Sequence, residues 1–178
     1  GGSRTTRHID GLLRAAYPEN PPKLVHRLDK DTSGVLLLAR HDRAARELTA
    51  GFANKTINKV YLALVIGDPG AEGQIEAPLR KAGGKGAEKM IIDYEAGQTA
   101  VTDFLRLDKA GPVSLMALRP VTGRTHQLRV HMLAAGTPIL GDGKYAGSAA
   151  HIGSFVRQLH LHARFLSLAD GTLLSAPV

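Results

Sequence analysis

The chain has no cysteine and no tryptophan among its 178 residues. Without thiols it can form no disulfide, no thiolate zinc site and no iron–sulfur cluster, and no thiol can act as nucleophile; this fits a reducing compartment. Long apolar runs are missing too, since nothing approaches the roughly 20 residues that a membrane helix needs. The first residues do not have the pattern of a secretory leader, and a soluble, cytoplasmic protein is expected. Aromatic residues make up only 4%. What is present, 43% hydrophobic and 22% charged residues with 20 glycines, is the make-up of an ordinary globular domain and excludes collagenous and disordered classes. A chain of this length buries about 70% of the surface its unfolded form exposes. Residues 1–178 are therefore expected to form one domain, monomeric, with 1–7 flexible.

Acids are outnumbered, 16 Asp and Glu against 23 Lys and Arg, for a net charge of +7. Residues 1–46 carry nine basic and five acidic side chains, residues 47–118 eight and nine, and residues 119–178 six and two. Two basic flanks around a neutral middle form one positive face if the chain ends meet, which is the footprint of a polyanion partner. Otherwise they are a solvated surface.

His8 to Ala16 reads as a short helix stopped before Pro18, and Pro21-Pro22 forces an extended approach to Lys23-Leu24-Val25. Val35 to Ala39 reads as a buried strand, Arg43 to Asn54 as a helix with Ala44, Leu48 and Phe52 on one stripe, and Lys59 to Ile66 as a second strand. Lys81 to Lys89 is a polar loop. Gln98 to Leu107 alternates and Val113 to Leu118 follows it after a turn, as an antiparallel pair would. Thr125 to Ala135 has helical spacing, with Gly136 as its stop. Leu159 to Leu168 and Thr172 to Leu174 frame a closing hairpin at Asp170-Gly171. Many strands and a few helices without regular alternation predict an α+β fold, with a mixed, mainly antiparallel sheet flanked by helices and loops.

Two polar strings stand out. His26-Arg27-Leu28-Asp29-Lys30-Asp31-Thr32-Ser33-Gly34 runs into the first apolar stretch, where it is either a catalytic loop on a rigid strand or a turn whose side chains bond their own backbone. Gly123-Arg124-Thr125-His126-Gln127-Leu128-Arg129-Val130-His131 opens a helix. It is either an anion site at a helix N-terminus or an exposed helix start with extended arginines. His126 and His131 are five apart, against the spacing of four in a helical zinc pair, so no metal is expected. Kinase-loop, phosphate-loop and nucleophile-elbow patterns all fail on missing residues, and no cofactor is expected.

Together the strings resemble the pseudouridine synthases that modify large-subunit rRNA and tRNA. Residues 26–34 fit that family's HRLDxxTSG signature, Lys59-Val60-Tyr61-Leu62-Ala63-Leu64-Val65 its K-x-Y-L-A-L-V strand, and residues 123–131 its GRTHQ(I/L)RVH motif; Gly136 to Asp142 and Leu161-His162-Ala163 follow in order. The resemblance spans about Lys23 to Leu168. It implies that Asp29 is the catalytic aspartate, Tyr61 the tyrosine that meets the target base, and Arg129 the arginine that pairs with Asp29. Leu161 would pack on the uracil and Arg27 would support the gap left by the flipped nucleotide. His26, Arg124 and Gln127 are further expected substrate contacts. The family's small N-terminal RNA-binding domain and its early Lys-Pro motif have no counterpart, so a catalytic domain alone is expected.

The chemistry agrees with those roles. Moving uracil from an N1 to a C5 link to the ribose oxidises nothing and imports no group. It needs one ionised carboxylate near C1′ or C2′, as nucleophile or base, and a neighbouring arginine favours that charge. A hydrolase would want two carboxylates and an activated water, whereas Asp31 is expected to be structural. Flipping the nucleotide costs a few kcal/mol, offset by stacking and phosphate contacts. The expected partner is RNA, 23S rRNA first and tRNA as the alternative. The rivals are a non-catalytic RNA-binding assembly protein and a nucleoside hydrolase. Specificity regions such as residues 71–94 do not name the target uridine.

Overall fold

The computed structural model describes residues 8–83, 89–153 and 158–178. The expectation for residues 1–7, and part of that for 81–89, lies outside them.

Helix α1 (Ile9–Ala16) precedes the short strands β1 (Lys23–Leu24), β2 (Ser33–Gly34) and β3 (Leu38–Ala39), then helix α2 (Asp42–Ala53). Strands β4 (Asn58–Ile66), β5 (Glu72–Glu76), β6 (Leu79–Lys81), β7 (Met90–Ile92), β8 (Val101–Ala110) and β9 (Val113–Pro120) follow. Helices α3 (Gln127–Ala134) and α4 (Gly143–Ala146), a short 3-10 turn, and strands β10 (Leu161–Ser167) and β11 (Leu173–Ser175) complete the chain. The principal sheet runs β11-β10-β4-β9-β8-β5 with every neighbour antiparallel, and β2 joins β10 in parallel. This is the expected mixed, mainly antiparallel α+β architecture. Because β10 sits between β4 and β2, the last long strand closes against the first segments, and the two basic flanks of the sequence meet.

Alternate residues of the central strands point one way: Ala63 and Val65 of β4, then Ser114, Met116 and Leu118 of β9, are buried. Leu128 and Met132 of α3 cover them, with Ile139, Leu159 and Leu161 completing the cluster. Fully burying side chains of this size contributes about 1.5–3 kcal/mol each. On its other side α3 sends Val130 into a second cluster with Leu79 and Ala100, below the β6–β7 hairpin.

Helix α3 therefore departs from the expected polar, basic face. From Gln127 to Met132 every residue is buried, and the polar members are spent on internal bonds. Gln127 Nε2 donates to Val101 O at 2.9 Å and to Thr102 Oγ1 at 3.0 Å, while its Oε1 accepts from Thr122 Oγ1 at 2.7 Å and from the Arg124 amide at 3.0 Å. His131 lies 3.0 Å from both Thr102 Oγ1 and Ala77 O, bonding each through one ring nitrogen. Arg129 donates to both carboxylate oxygens of Asp142, at 2.9 and 2.5 Å.

The Val35 to Ala39 run also departs from expectation. Only Leu38–Ala39 is strand, paired with β1 alone, and only Ala39 is buried. The segment lies at the rim, held by single bonds: Val35 N to Ala163 O at 2.9 Å and Leu37 N to His26 Nε2 at 2.8 Å. His26 itself packs on Phe52, ring centroids 4.7 Å apart. Burial, with Lys59 adding to it, pushes its pKa down to about 4.

Two measurements test these placements. Asp142→Ala strands a buried guanidinium, and the expected loss is about 3–5 kcal/mol, or roughly 6–20 °C in melting temperature; the double variant Arg129→Met with Asp142→Leu should recover part of it. An unchanged melt for Asp142→Ala would show that the pair is not holding the core. His26 is neutral when folded and binds a proton more readily when unfolded, so stability is full above its ordinary pKa and declines as pH falls from about 6.5 to about 4. The decline should be shallower in His26→Gln, followed by urea titration across that range.

Candidate functional site

The loop after β1 is shaped by a turn in which Thr32 N donates to Asp29 O at 2.9 Å. Ser33 Oγ then meets His162 Nδ1 at 2.8 Å, and Gly34 presses its backbone onto β10. At φ +116°, a Cβ at Gly34 would stand 2.2 Å from Ala163 O, so the string Thr32-Ser33-Gly34 ends in the only residue that fits. The turn reading and the catalytic-loop reading of this string are thus compatible, because the turn presents Asp29 to a cleft.

That cleft is lined by Arg27, Asp29, Thr32, Lys59, Tyr61, Thr122 to Arg129 and Leu161. Asp29 is its sole lining carboxylate among the described residues. Tyr61 stands mid-strand on β4, paired with Leu118 and Ala163. Burial, and after it the charge of Asp29, pushes its phenol up to about 12, so it stays a neutral hydroxyl and ring at any ordinary pH. Leu161 of β10 closes the floor, and Arg27 and Arg124 are exposed at the rim. Arg124 Nε is anchored to Thr99 O at 3.1 Å. A second cleft shares Lys59, Pro120 and Thr122 to Arg124 with the first and adds Phe52, Lys55 and Arg119. Lys59, at the junction, has no carboxylate within ion-pair distance among the described residues, and burial lowers its pKa.

Three expectations change at this point. Arg129 lines the cleft but is paired with Asp142 rather than Asp29; the two are 4% and 2% exposed, and the bidentate bonds saturate the carboxylate's face toward α3. Burial opposes the guanidinium's charge, yet the hydrogen bonds and charge of Asp142 outweigh it and hold the pKa up, with Tyr145 and Asp29 adding to the effect. Gln127 shapes the cleft wall but has both donors and both acceptor positions engaged within the protein. His26 is outside the cleft lining, and its Nε2 is taken by the Leu37 amide.

The neighbour that Asp29 does have was not singled out from the sequence. His126 Nε2 lies 4.0 Å from Asp29 Oδ2, and His126 Nδ1 lies 2.7 Å from Tyr145 Oη. Tyr145 Oη also accepts from Met90 N at 2.9 Å, and the Arg129 guanidinium lies over its ring at 5.1 Å. The Gly141-Asp142-Gly143-Lys144-Tyr145 string is the signal that could have led there: Asp142 caps α4 by accepting from Tyr145 N at 3.3 Å, which points its oxygens back toward α3. Among the described residues there is no group of three metal-ligating side chains, and no helix is long and apolar enough to cross a membrane.

Comparison with known proteins places this geometry. A family model described as RNA pseudouridylate synthase matches residues 7–134. An uncharacterized RNA pseudouridine synthase of Chloroflexus aurantiacus is 40% identical over 166 residues, which are 90% of this chain and 51% of that protein. The ribosomal large subunit pseudouridine synthase D of Zymomonas mobilis is 42% identical over 141 residues, 79% of this chain and 44% of that one. The dual-specificity RNA pseudouridine synthase RluA of Escherichia coli is 39% identical over 168 residues, 93% of this chain and 75% of that one. The chain thus spans about half the length of the first two of these relatives. The human RNA pseudouridylate synthase domain containing 1 superposes with a TM-score of 0.79 at 30% identity, covering 96% of this chain and 74% of its own. On the family match and on these relatives, the chain belongs to the RNA pseudouridylate synthase family.

Proposed function

We propose that this chain isomerises uridine to pseudouridine in RNA, with Asp29 as the group that attacks or deprotonates the ribose, and with 23S rRNA as its first target. The observation that carries the reading is that, among the described residues, one carboxylate, Asp29, faces a neutral tyrosine and an apolar floor in a cleft whose other lining charges are cationic. One carboxylate without a second acid suits release and recapture of the base rather than delivery of water.

The uridine enters flipped out of its stack, its ring against Tyr61 and Leu161. Asp29, ionised, works at C1′ as nucleophile or at C2′ as base, breaking the link to N1. Uracil turns while confined between the two side chains and bonds through C5 to C1′, which displaces the carboxylate if it had attacked C1′, or is followed by return of the proton from Asp29 to C2′ if it had acted as base; C5 then gives up its proton to solvent and N1 takes one up. Arg129, held in place by Asp142, closes the α3 side of the cleft with donors near the charge carried on the detached base. Lys55, Lys59, Arg119 and Arg124 line the adjoining cleft as contacts for the phosphates on one side of the flipped nucleotide. The Zymomonas mobilis relative, a ribosomal large subunit pseudouridine synthase, favours ribosomal large-subunit RNA. The second reading is tRNA, for which the Escherichia coli relative, described as dual-specific and matched over more of its length, is the reason.

Tritium release from RNA carrying label at uracil C5, offered as unmodified 23S rRNA and tRNA transcripts, is the direct test. Wild type should release label from one of them and Asp29→Ala should not, while both retain RNA on a filter alike. Equal background release would leave a binding protein, and free uracil in the supernatant would indicate a hydrolase. The Lys55→Ala, Arg124→Ala pair should weaken RNA retention with little effect on the rate at saturating RNA, and should flatten the dependence of affinity on salt by up to about two phosphate contacts; an unchanged salt slope would remove the adjoining cleft from the RNA path.

A further inference from the structure

We propose that His126 is a positioning residue for Asp29: its neutral imidazole directs an Nε2–H at the carboxylate, and Tyr145 sets that direction. The proposal rests on the isomerase reading above, in which Asp29 is the reacting group.

The hydroxyl of Tyr145 favours one tautomer. Its hydroxyl oxygen accepts from Met90 N at 2.9 Å and lies 2.7 Å from His126 Nδ1. A phenol has one proton to give, and among the described residues His126 Nδ1 is the acceptor within reach. In the proposed arrangement Tyr145 donates to Nδ1, which leaves that nitrogen unprotonated and the ring proton on Nε2. Nε2 faces Asp29 Oδ2 at 4.0 Å. Such contacts are commonly loose before substrate binds and tighten in the complex. Among the described residues no hydrogen bond to the Asp29 carboxylate competes with this approach.

The backbone supports the same aim. His126 adopts φ +52°, ψ +18°, a left-handed conformation that non-glycine residues rarely take, immediately before α3. A helical φ at this position would carry the ring elsewhere. Strain of this kind persists where the surroundings over-determine it, here through the buried helix behind and the Tyr145 hydroxyl in front.

The groups facing the imidazole keep it neutral. Asp29 approaches from the loop before β2, Arg129 from α3, and Asp142, Lys144 and Tyr145 from α4 and its cap. Burial is the largest influence and lowers the pKa; Lys144 and Arg129 lower it further, and Asp29 and Asp142 oppose them without prevailing. A neutral donor can hold a carboxylate oxygen in place without drawing down its negative charge. A protonated ring would do the opposite. It would pair with Asp29 as a cation, lower its reactivity, and expel the Tyr145 donation because both nitrogens would then carry protons.

The test uses the whole chain with the tritium-labelled 23S rRNA and tRNA transcripts. His126→Leu should lower kcat by about 10- to 100-fold, the usual loss when an orienting partner is removed, with KM and the melting temperature little changed. His126→Gln keeps an amide donor near the Nε2 position and cannot titrate; it should recover most of kcat and lose the acid limb of the pH–rate profile. Tyr145→Phe removes the donation that favours the neutral ring, so its acid limb should move to higher pH. An acid limb unmoved in both variants, or losses that only parallel the melting temperature, would overturn the proposal. Histidine-selective ¹⁵N NMR separates this proposal from the isomerase reading, since it does not depend on turnover. An Nε2–H tautomer at His126 titrating below free imidazole is expected, and an Nδ1–H tautomer would overturn it even in a chain that releases no tritium.

Discussion

The pairing of Arg129 with Asp142 is the interaction on which the other arrangements depend. A guanidinium at 4% exposure cannot remain without a partner. The planar fork of donors matches both oxygens of one carboxylate, and it ties α3 to the cap of α4. From that join the rest follows in sequence. Asp142 starts α4 by accepting the Tyr145 amide, and the Tyr145 ring lies under the Arg129 guanidinium at 5.1 Å. The Tyr145 hydroxyl bonds both the β6–β7 hairpin, through Met90, and His126, which faces Asp29. The pair is weak evidence for net stability, because two apolar residues could fill the same volume. Its contribution is to orientation: it gives the site a fixed positive charge and a fixed tyrosine.

Sheet order supplies the second constraint. The loop bearing Asp29 is irregular and 129 positions of chain separate Ser33 from His162, yet the parallel pairing of Ser33-Gly34 with His162-Ala163 anchors that loop to β10, a long strand of the principal sheet. β4 pairs with the other edge of β10 and brings Tyr61 opposite Ala163. One strand therefore fixes the aspartate on one side and the tyrosine on the other, while contributing Leu161 to the floor. A cleft built this way is rigid where the chemistry requires position, and its exposed arginines remain at the rim.

The legible parts of the sequence were those governed by local periodicity and turn chemistry. Helix α2, strands β4, β8 and β9, and the β10–β11 hairpin at Asp170-Gly171 lie within a few residues of their expected bounds, because each shows its burial as a period of two or four. The Val35 to Ala39 run was misleading for the same reason. Five apolar residues look like a buried strand whether they lie in the centre of a sheet or, as here, at its rim beside a small pair of strands. Helix α3 hid its nature differently. Gln127, Arg129 and His131 read as surface residues, and only the tertiary partners Thr102, Ala77 and Asp142, drawn from three other segments, make them core. Asp29, Tyr61 and Leu161 share the cleft as the resemblance implied. The assignment of Arg129 to Asp29 could not be checked from motifs, since a signature names residue types and not which carboxylate an arginine selects.

The charge arithmetic has a corresponding physical reading. Seven excess positive charges spread over a surface would attract RNA without reacting with it. In this chain the cations fall into two kinds. Arg27, Arg124 and Lys55 are exposed around the cleft, where they can exchange counterions for phosphates. Arg129 is buried and neutralised by Asp142, so it adds almost nothing to the long-range field. Asp29 then faces a mixed environment: a locked cation to one side, a neutral histidine in front, and a neutral phenol beside it. None of these neighbours carries a proton it readily loses near neutral pH. A second titrating acid would invite water and hydrolysis. In the proposed reaction, the lack of a second lining carboxylate among the described residues, together with a tyrosine and a leucine that can confine a detached base, favours recapture.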